Sequence, residues 1–179
     1  MRNDFKLLFD ANNKRVYNIS LNIVESIEDA EDITQEVFVE VFHSLEQFKD
    51  KSMLSTWIYR IAVNKSLDLL RAKKRKKRFA LITQLFHPET GKELHRVSHF
   101  DHPGVVLEKK EQAQILFKAI HKLSENQKTA FILQRVEGFS QKETAQIMAV
   151  SEKAVESLVQ RAKENLKKTL GKFYEDRRI

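Results

Sequence analysis

Apolar residues recur mostly every three or four positions along the chain, a spacing that places them on one face of an α-helix. The first stripe predicts one amphipathic helix or a helix pair, and consists of Phe5, Leu8, Val16, Ile19, Ile23 and Ile27. The second predicts the clearest helix in the sequence, and consists of Ala30, Ile33, Val37, Val41, Leu45 and Phe48. Ser26 and Asp29 precede it with the spacing of a capping box.

Helical spacing resumes after residue 104 and continues almost to the end of the chain. Residues 105–121 carry it through Leu107, Ile115, Leu116, Ala119 and Ile120. Three further helices follow in quick succession. Their predicted N-caps are Ser124 with Gln127, Ser140 with Glu143, and Ser151. The four glycines and two prolines all fall between helical patterns, so the fold class predicted is all-α.

The periodicity fades between Phe79 and Gly104, which divides the chain into two parts. Both prolines, two glycines and four of the six histidines occur here: His87, His95, His99 and His102. Because the histidines are irregularly spaced and the chain has no Cys, a linker is favoured over a metal site, and no cofactor is expected. We therefore predict two small helical domains, residues 1–78 and 108–179, joined by a flexible linker over residues 79–107.

Composition excludes several classes of protein. The absence of Cys excludes disulfides, thiolate metal sites and cysteine nucleophiles. No run of about 18 apolar residues occurs, so no membrane insertion is expected and the chain is predicted to be cytoplasmic. No paired carboxylates with metal-like spacing, Gly-rich phosphate loop or histidine-based nucleophile motif is present, which argues against an enzyme.

Charge is concentrated in two segments of opposite sign. Residues 60–78 hold nine Lys or Arg against the single Asp68, while the whole chain has a net charge of +7. Such a local basic surface suits a polyanion, most simply nucleic acid. Residues 25–46 hold eight Asp or Glu and no Lys or Arg, so DNA would be repelled from that face.

Aromatic residues beside the basic segment sharpen the prediction of a nucleic-acid surface. Trp57 and Tyr59 could stack on unpaired bases, and the amide of Asn64 could read an adenine edge. In the alternative interpretation Trp57, Ile58 and Ile61 belong to a buried stripe and the basic run is a solvated helix face. We expect Trp57 to be at least partly buried.

Residues 141–160, QKETAQIMAVSEKAVESLVQ, have the layout of a helix-turn-helix with a tight turn at 149–151. Small Ala145 would let the two helices approach, and the junction would be filled by Met148, Val150, Val155 and Leu158. The outward positions are Lys153, Glu156, Ser157, Gln160 and Lys163. The alternative is an ordinary helical hairpin within a bundle.

Taken together, these segments resemble a sigma factor of bacterial RNA polymerase, of the extracytoplasmic-function (ECF) class, over nearly the whole chain. DAEDITQEVFVEVFHSLEQF (29–48) is similar to the stretch that binds the polymerase core. STWIYRIAVNKSLDLLRAKKR (55–75) is similar to the stretch that melts and reads the −10 element, and the helix-turn-helix to the reader of the −35 element. Their order and spacing make the resemblance distinctive.

The resemblance implies a role for specific residues. Asp29, Asp32, Gln35 and Glu36 would dock on the clamp helices of the largest polymerase subunit. The loop from Phe48 to Ser52 would hold a flipped base, and the −10 strand would be lined by Phe48, Lys49, Ser55, Thr56, Trp57, Arg60, Asn64, Lys65 and Arg71. The −35 element would be read by Lys153, Glu156, Ser157, Gln160, Arg161 and Lys163. Glu156 and Leu158 depart from the family pattern, because many relatives have arginines there, and the resemblance therefore does not fix the −35 sequence.

The expected function is thus that of a promoter-specificity subunit which binds the polymerase core and assists promoter melting. Implied partners are the core, through its clamp helices and flap region, promoter DNA, and an anti-sigma factor. The alternative is a stand-alone regulator that binds operator DNA through the helix-turn-helix alone. In that case the acidic segment and Trp57 would need no common partner.

Overall fold

The computed structural model describes residues 2–45, 54–86 and 110–176, and within these ranges the chain is helical throughout apart from short turns. The helices are α1 (Arg2–Val24), α2 (Ile27–Ser44), α3 (Leu54–Phe86), α4 (Lys110–His121), α5 (Glu125–Phe131), α6 (Gln141–Met148) and α7 (Glu152–Asp176). A π-helical turn, Ile132–Val136, continues α5. The predicted all-α fold is confirmed.

Helices α1, α2 and α3 form the N-terminal unit. The first apolar stripe lies on a single helix, α1, whose Val16, Ile19 and Ile23 are fully buried. They pack with residues of the second stripe, among them Val37 and Val41. Burying each such side chain contributes roughly 1.5–3 kcal/mol. Helix α3 completes this core with buried residues that include Ile58, Ala62 and Val63. Within the stripes, Ile27 is exposed, Leu45 is half-buried, and Phe48 lies outside the described residues.

The turn between α1 and α2 is fixed by local hydrogen bonds. The Ser26 hydroxyl accepts from the backbone N–H of Asp29 at 3.2 Å, so Ser26 is the N-cap that the sequence predicted. Glu25, just before it, adopts a left-handed conformation with φ 64°. A non-glycine residue there costs about 1–2 kcal/mol. The Glu25 carboxylate lies 2.6 Å from His121 Nδ1 and 3.4 Å from the Lys128 ammonium.

Helix α3 has 33 residues and continues past residue 78, where the apolar periodicity fades, to Phe86. The described side chains of its basic stretch, residues 73–78, are all exposed. This segment lies beyond the packed part of the unit and therefore needs no apolar stripe. Lys and Arg are good helix formers, which accounts for the continuation of the helix.

Helices α4 to α7 form the C-terminal unit, and its caps agree only partly with the prediction. Ser140 and Glu143 form a complete capping box, and the Ser151 hydroxyl accepts from the Ala154 N–H at 3.2 Å. The predicted capping box of Ser124 with Gln127 is wrong, because Ser124 caps α5 without a side-chain hydrogen bond. The Gln127 side chain instead accepts from Asn165 on α7 at 3.0 Å.

Helices α6 and α7 form the predicted helix-turn-helix. Ala149 ends α6 in a left-handed conformation, φ 54°, and α7 begins at Glu152. Val155 is buried at the junction, and Met148 and Leu158 are half-buried there. Val150, predicted to fill the junction, is 39% exposed. The left-handed residue before it turns the chain outward, and buried Val159 takes part in the packing instead.

The two units pack against each other through α3 with α6 and α1 with the π-helical turn. Residues of the C-terminal unit, including Ile132, Leu133 and Ile147, belong to the same hydrophobic cluster as the core of α1 to α3. We call this contact the interdomain seam. Its polar and aromatic members include Arg15, Asn22, Tyr59, Arg60, Arg71, Glu125, Glu137, Phe139 and Gln146.

Candidate nucleic-acid interface

The acidic residues of α2 form a continuous outer surface. The buried positions Ile33 and Val37 face the core, and the helical repeat therefore turns Asp32, Gln35 and Glu36 outward. These three line a shallow groove of about 530 Å³ with Glu40 and with Val39, which is 57% exposed. Asp29 lines the adjoining groove. The structure thus brings the four predicted polymerase-binding residues together on one face.

Basic residues of α3 border this acidic surface and bind to it. The Lys65 ammonium lies 3.3 Å from a Glu36 carboxylate oxygen and 3.2 Å from one of Glu40. Burial lowers the pKa of Lys65, but the hydrogen bonds and charges of the two carboxylates outweigh it and the net pKa is raised. Lys73 contacts Asp29 in the same way. Sequence reasoning missed these pairs because they join two helices.

Four residues predicted to contact the −10 strand share one stripe of α3. At about 100° per residue, Trp57, Arg60, Asn64 and Arg71 fall within about 60° of one another around the helix axis. Asn64 and Arg71 are exposed, whereas Trp57 and Arg60 are half-buried. Trp57 packs partly against the core, as expected. These four residues therefore form one continuous stripe along α3, called the α3 stripe below.

The remaining predicted −10 residues are placed differently. Ser55 and Thr56 begin α3, where Ser55 is exposed and Thr56 half-buried, and Lys65 is held by α2 as described. Phe48 and Lys49 lie outside the described residues, as does the loop to Ser52.

Tyr59 does not stack on bases, which corrects the prediction. Its side chain is buried, its hydroxyl donates to Asn12 Oδ1 at 2.7 Å, and its ring lies 5.3 Å from that of Phe139. Burial raises the pKa of this phenol. Tyr59 is therefore a structural member of the interdomain seam.

Two residues of the α3 stripe also contact the C-terminal unit. Arg60 donates from Nε and Nη2 to the backbone carbonyl of Gln146, at 3.1 and 2.5 Å. Arg71 lies 3.4 Å from the Glu125 carboxylate, which also accepts from Lys74 at 2.7 Å. The hydrogen bond from Lys74 is the main reason that the pKa of Glu125 is lowered.

The outward face of the helix-turn-helix is open. All six predicted −35 residues are exposed, and five of them line one groove of about 870 Å³: Lys153, Glu156, Ser157, Gln160 and Lys163. Arg161 is exposed outside this groove. The groove also contains Gln141, whose side chain donates to the Glu152 carbonyl and ties α6 to the start of α7, and Arg135. Arg135 was not predicted because it lies outside residues 141–160, the segment from which the outward positions were read.

Neither a metal centre nor a membrane span is found in the parts of the chain that the structure describes. There, no three His, Cys, Asp or Glu side chains are grouped so that they could hold a metal ion. No helix of those parts is both long and apolar enough to cross a bilayer. The histidines His87, His95, His99 and His102 lie outside the described residues.

Comparison with known proteins links both units to one family. Residues 8–76 match the family model of sigma-70 region 2, and residues 113–166 that of sigma-70 region 4. The ECF RNA polymerase sigma-E factor of Haemophilus influenzae is 33% identical over 162 residues, which cover 89% of this chain and 84% of that one. The sigma-E factor of Escherichia coli K12 is 32% identical over 138 residues, 76% and 71% of the two chains.

Solved structures show the same fold. The sigma factor RpoE in complex with the anti-sigma factor NepR from Bartonella quintana superposes with a TM-score of 0.71 at 23% identity, covering 94% of this chain and 97% of that one. CnrH in complex with the cytosolic domain of CnrY gives 0.66 at 22% identity, covering 96% and 90%.

The region 2 match accounts for the N-terminal unit, whereas a stand-alone helix-turn-helix regulator would not need this unit. The helix-turn-helix lies inside the region 4 match. The chain belongs to the ECF sigma factors, the promoter-specificity subunits of bacterial RNA polymerase.

Proposed function

We propose that this sigma factor binds the polymerase core through α2, opens and reads the −10 element through α3, and reads the −35 element through α7. The observation that carries the proposal is the presence on one chain of three distinct exposed surfaces: an acidic groove, a basic helix with a half-buried Trp, and an open helix-turn-helix groove. Residues 1–78 and 108–179 would be the two functional domains, joined over 79–107.

The acidic groove of α2 suits a basic helical partner. Asp32, Gln35 and Glu36 surround the exposed Val39, an arrangement in which an apolar contact is enclosed by charges. This groove would fit the clamp helices of the largest polymerase subunit if they present Arg or Lys around an apolar side chain. Asp29 would extend the contact. The carboxylates would orient the partner and increase its association rate, and Val39 would supply an apolar contact from which water is excluded.

The stripe of α3 suits a single strand. Arg60 and Arg71 would neutralise phosphates, Trp57 would stack where a base pair is opened, and Asn64 would read a base edge. Ser55, Thr56 and Lys65 would flank this path, and Phe48 and Lys49 would contact the flipped base. Base extraction costs a few kcal/mol, which the polymerase and DNA contacts would offset. No covalent step by this chain is required.

The groove beside α7 suits the major groove of duplex DNA. Lys153, Lys163 and Arg161 would contact phosphates, while Ser157 and Gln160 would face base edges. The Glu156 carboxylate would accept from a cytosine amino group, so a C·G pair is favoured at its position in the −35 element.

A regulatory partner follows from the solved relatives. The sigma factor RpoE from Bartonella quintana, which has this fold, was solved with the anti-sigma factor NepR, and CnrH was solved with the cytosolic domain of CnrY. We propose that an anti-sigma factor likewise covers one or both units of this chain, in the cytoplasm where the polymerase works.

The test is formation of a stoichiometric complex with sigma-free RNA polymerase core, measured by size-exclusion chromatography. We expect wild-type protein to co-elute with core and Asp32→Lys to lose this. Glu31→Lys, an identical charge reversal on an exposed α2 position outside the groove, should retain it. A well-folded wild-type chain that fails to co-elute would overturn the proposal.

A further inference from the structure

The Gln160 side chain, one of the proposed −35 readers, is held by a neighbour on its own helix. Its Nε2 donates to Glu164 Oε1 at 3.0 Å, one helical turn further along α7. Gln160 lines the groove of the helix-turn-helix, whereas Glu164 is exposed and is not part of that lining. Apart from its charge, Glu164 can therefore act on a bound duplex only through the orientation of the Gln160 amide.

The chemistry of this pair decides which end of the amide is held. An ionised carboxylate only accepts hydrogen bonds, so the reversed amide would place two oxygen atoms 3.0 Å apart. Side chains four positions apart on a helix are neighbours, and a hydrogen bond between them favours one orientation. The nitrogen is thus held on the side of Glu164, which leaves Oε1 to accept from a group in the groove.

A second glutamine of the same groove is held in a similar way. The Nε2 of Gln141, at the start of α6, donates to the backbone carbonyl of Glu152 at 3.0 Å, so its amide nitrogen is also engaged within the chain. Glu156 adds a carboxylate to the groove, four positions before Gln160. Acceptor oxygens are therefore available along the groove from both helices, between the cationic residues proposed to contact phosphates.

An acceptor in the major groove distinguishes the bases by their exocyclic group. Adenine and cytosine carry an amino group, which donates, whereas guanine and thymine carry an oxygen at the corresponding place. The second hydrogen on Gln160 Nε2 can still donate to N7 of adenine. An amide that is free to turn over could instead offer its nitrogen to the oxygen of guanine or thymine, and would discriminate less.

From these contacts we propose that Glu164 is a positioning residue of the −35 reader. It fixes the Gln160 amide so that the base facing Gln160 must carry a major-groove amino group, that of adenine or cytosine. The inference rests on the proposed reading of the −35 element by α7. It adds a residue outside the DNA-contacting set and assigns the chemistry of one base.

Three variants separate positioning from charge. Glu164→Ala removes the acceptor, and Glu164→Gln removes the same charge but keeps an oxygen that can accept from Gln160 Nε2. Non-specific attraction to DNA therefore changes equally in the two variants. Gln160→Ala identifies the base pair that Gln160 faces, since preference should be lost there. Because Glu164 acts through Gln160, adding Glu164→Ala to Gln160→Ala should change that preference no further.

The measurement is selection of promoter sequences from a library of randomised DNA duplexes by holoenzyme reconstituted with polymerase core. We expect the wild-type chain to favour adenine or cytosine over guanine or thymine on one strand at the position that Gln160→Ala identifies. Glu164→Ala should lower this preference roughly twofold and leave the other positions of the upstream motif unchanged. Glu164→Gln should retain the wild-type preference.

A wild-type preference for guanine or thymine at that position would overturn the inference. Equal changes in Glu164→Ala and Glu164→Gln would also overturn it, because they would trace the effect to charge. A wild-type holoenzyme that selects no upstream motif would remove the proposed function and this inference together. A normal upstream motif that Glu164→Ala leaves unaltered would overturn the inference and leave the proposed function standing.

Discussion

Lys65 lies between two carboxylates of α2, 3.3 Å from Glu36 and 3.2 Å from Glu40, and so joins the proposed polymerase surface to the proposed DNA surface. Both carboxylates are well exposed, and pairs of this kind contribute about 0–1 kcal/mol. An ion pair this weak can exchange a carboxylate for a DNA phosphate at little cost. On the proposed function, Lys65 would therefore be available to a DNA phosphate once the polymerase occupies Glu36.

Replacing Lys65 by Met tests that role. We expect Lys65→Met to weaken promoter binding by the holoenzyme and to lower the slope of log affinity against log salt by about 1, because one phosphate contact is lost. The thermal midpoint should change little. Lys122→Met, which removes an exposed charge from the end of α4, is the control and should leave the slope unchanged. An unchanged slope in Lys65→Met would assign this lysine to the α2–α3 contact alone.

Trp57 should be needed for promoter opening and not for polymerase binding. Trp57→Ala removes the ring that would stack on a base, and because the side chain is half-buried some stability will also be lost. We expect near-normal co-elution with core and a strongly reduced potassium permanganate footprint over the −10 region. Trp57→Phe keeps an aromatic face and should retain most of the opening. Equal loss of polymerase binding and opening in Trp57→Ala would indicate a purely structural side chain.

Glu137 should make the protein less stable as pH rises. Burial raises the pKa of its carboxyl, while the hydrogen bond from Asn22 and the charge of Arg15 oppose this only in part. The folded state therefore holds the proton more tightly than the unfolded state, whose pKa is near 4.5, and stability is lost as pH increases through the raised folded value. Glu137→Gln keeps an oxygen acceptor for Asn22 and carries no charge.

Urea unfolding over a range of pH checks this expectation. Glu137→Gln should be more stable than wild type at neutral pH, and the difference should shrink towards zero as the pH is lowered below about 4.5. A variant less stable than wild type at neutral pH would mean that the Glu137 charge is needed at the seam.

Ala149 should be improved by glycine. Its left-handed conformation, φ 54°, costs a residue with a Cβ roughly 1–2 kcal/mol, and glycine would avoid this cost. Part of the gain would be offset because glycine also increases the conformational entropy of the unfolded chain. We expect Ala149→Gly to raise the free energy of unfolding by about 0.5–1 kcal/mol, measured by urea unfolding. Ala149→Val, with a branched side chain, should lower it. A destabilised glycine variant would show that the Ala149 methyl group packs in the turn.

Features set by neighbours in the sequence could be predicted, and these include most of the fold. The stripe from Val16 to Ile23 identified the buried face of α1, and Ser140 with Glu143 identified the start of α6, because both depend on residues within one or two helical turns. The outward positions of α7 were correct for the same reason. Two local predictions were wrong. Val150 follows a left-handed residue and is partly exposed, and Ser124 caps α5 without the side-chain hydrogen bond of a capping box.

Contacts between the two units could not be read from the sequence. Tyr59 and Arg60 are residue types common on nucleic-acid surfaces. In the structure, however, Tyr59 bonds to Asn12, and Arg60 bonds to Gln146, which lies 86 positions away in the sequence. Helical periodicity says which side of α3 is apolar, but it does not say which other helix covers that side. From the sequence, Lys128 would likewise be expected on the surface, but in the structure it is buried and donates to the Ile23 carbonyl of α1.

Helix α3 is a single rod of 33 residues, about 50 Å long at 1.5 Å per residue. One rigid axis therefore fixes the distances between Trp57, the two arginines that contact the C-terminal unit, and the exposed basic end of the helix. Because Arg60 and Arg71 belong to the same continuous helix, their backbones keep a constant separation, and their contacts with Gln146 and Glu125 can change only through the arginine side chains or the C-terminal unit. Any partner that contacts both arginines must match that spacing, about 16 Å along the helix axis.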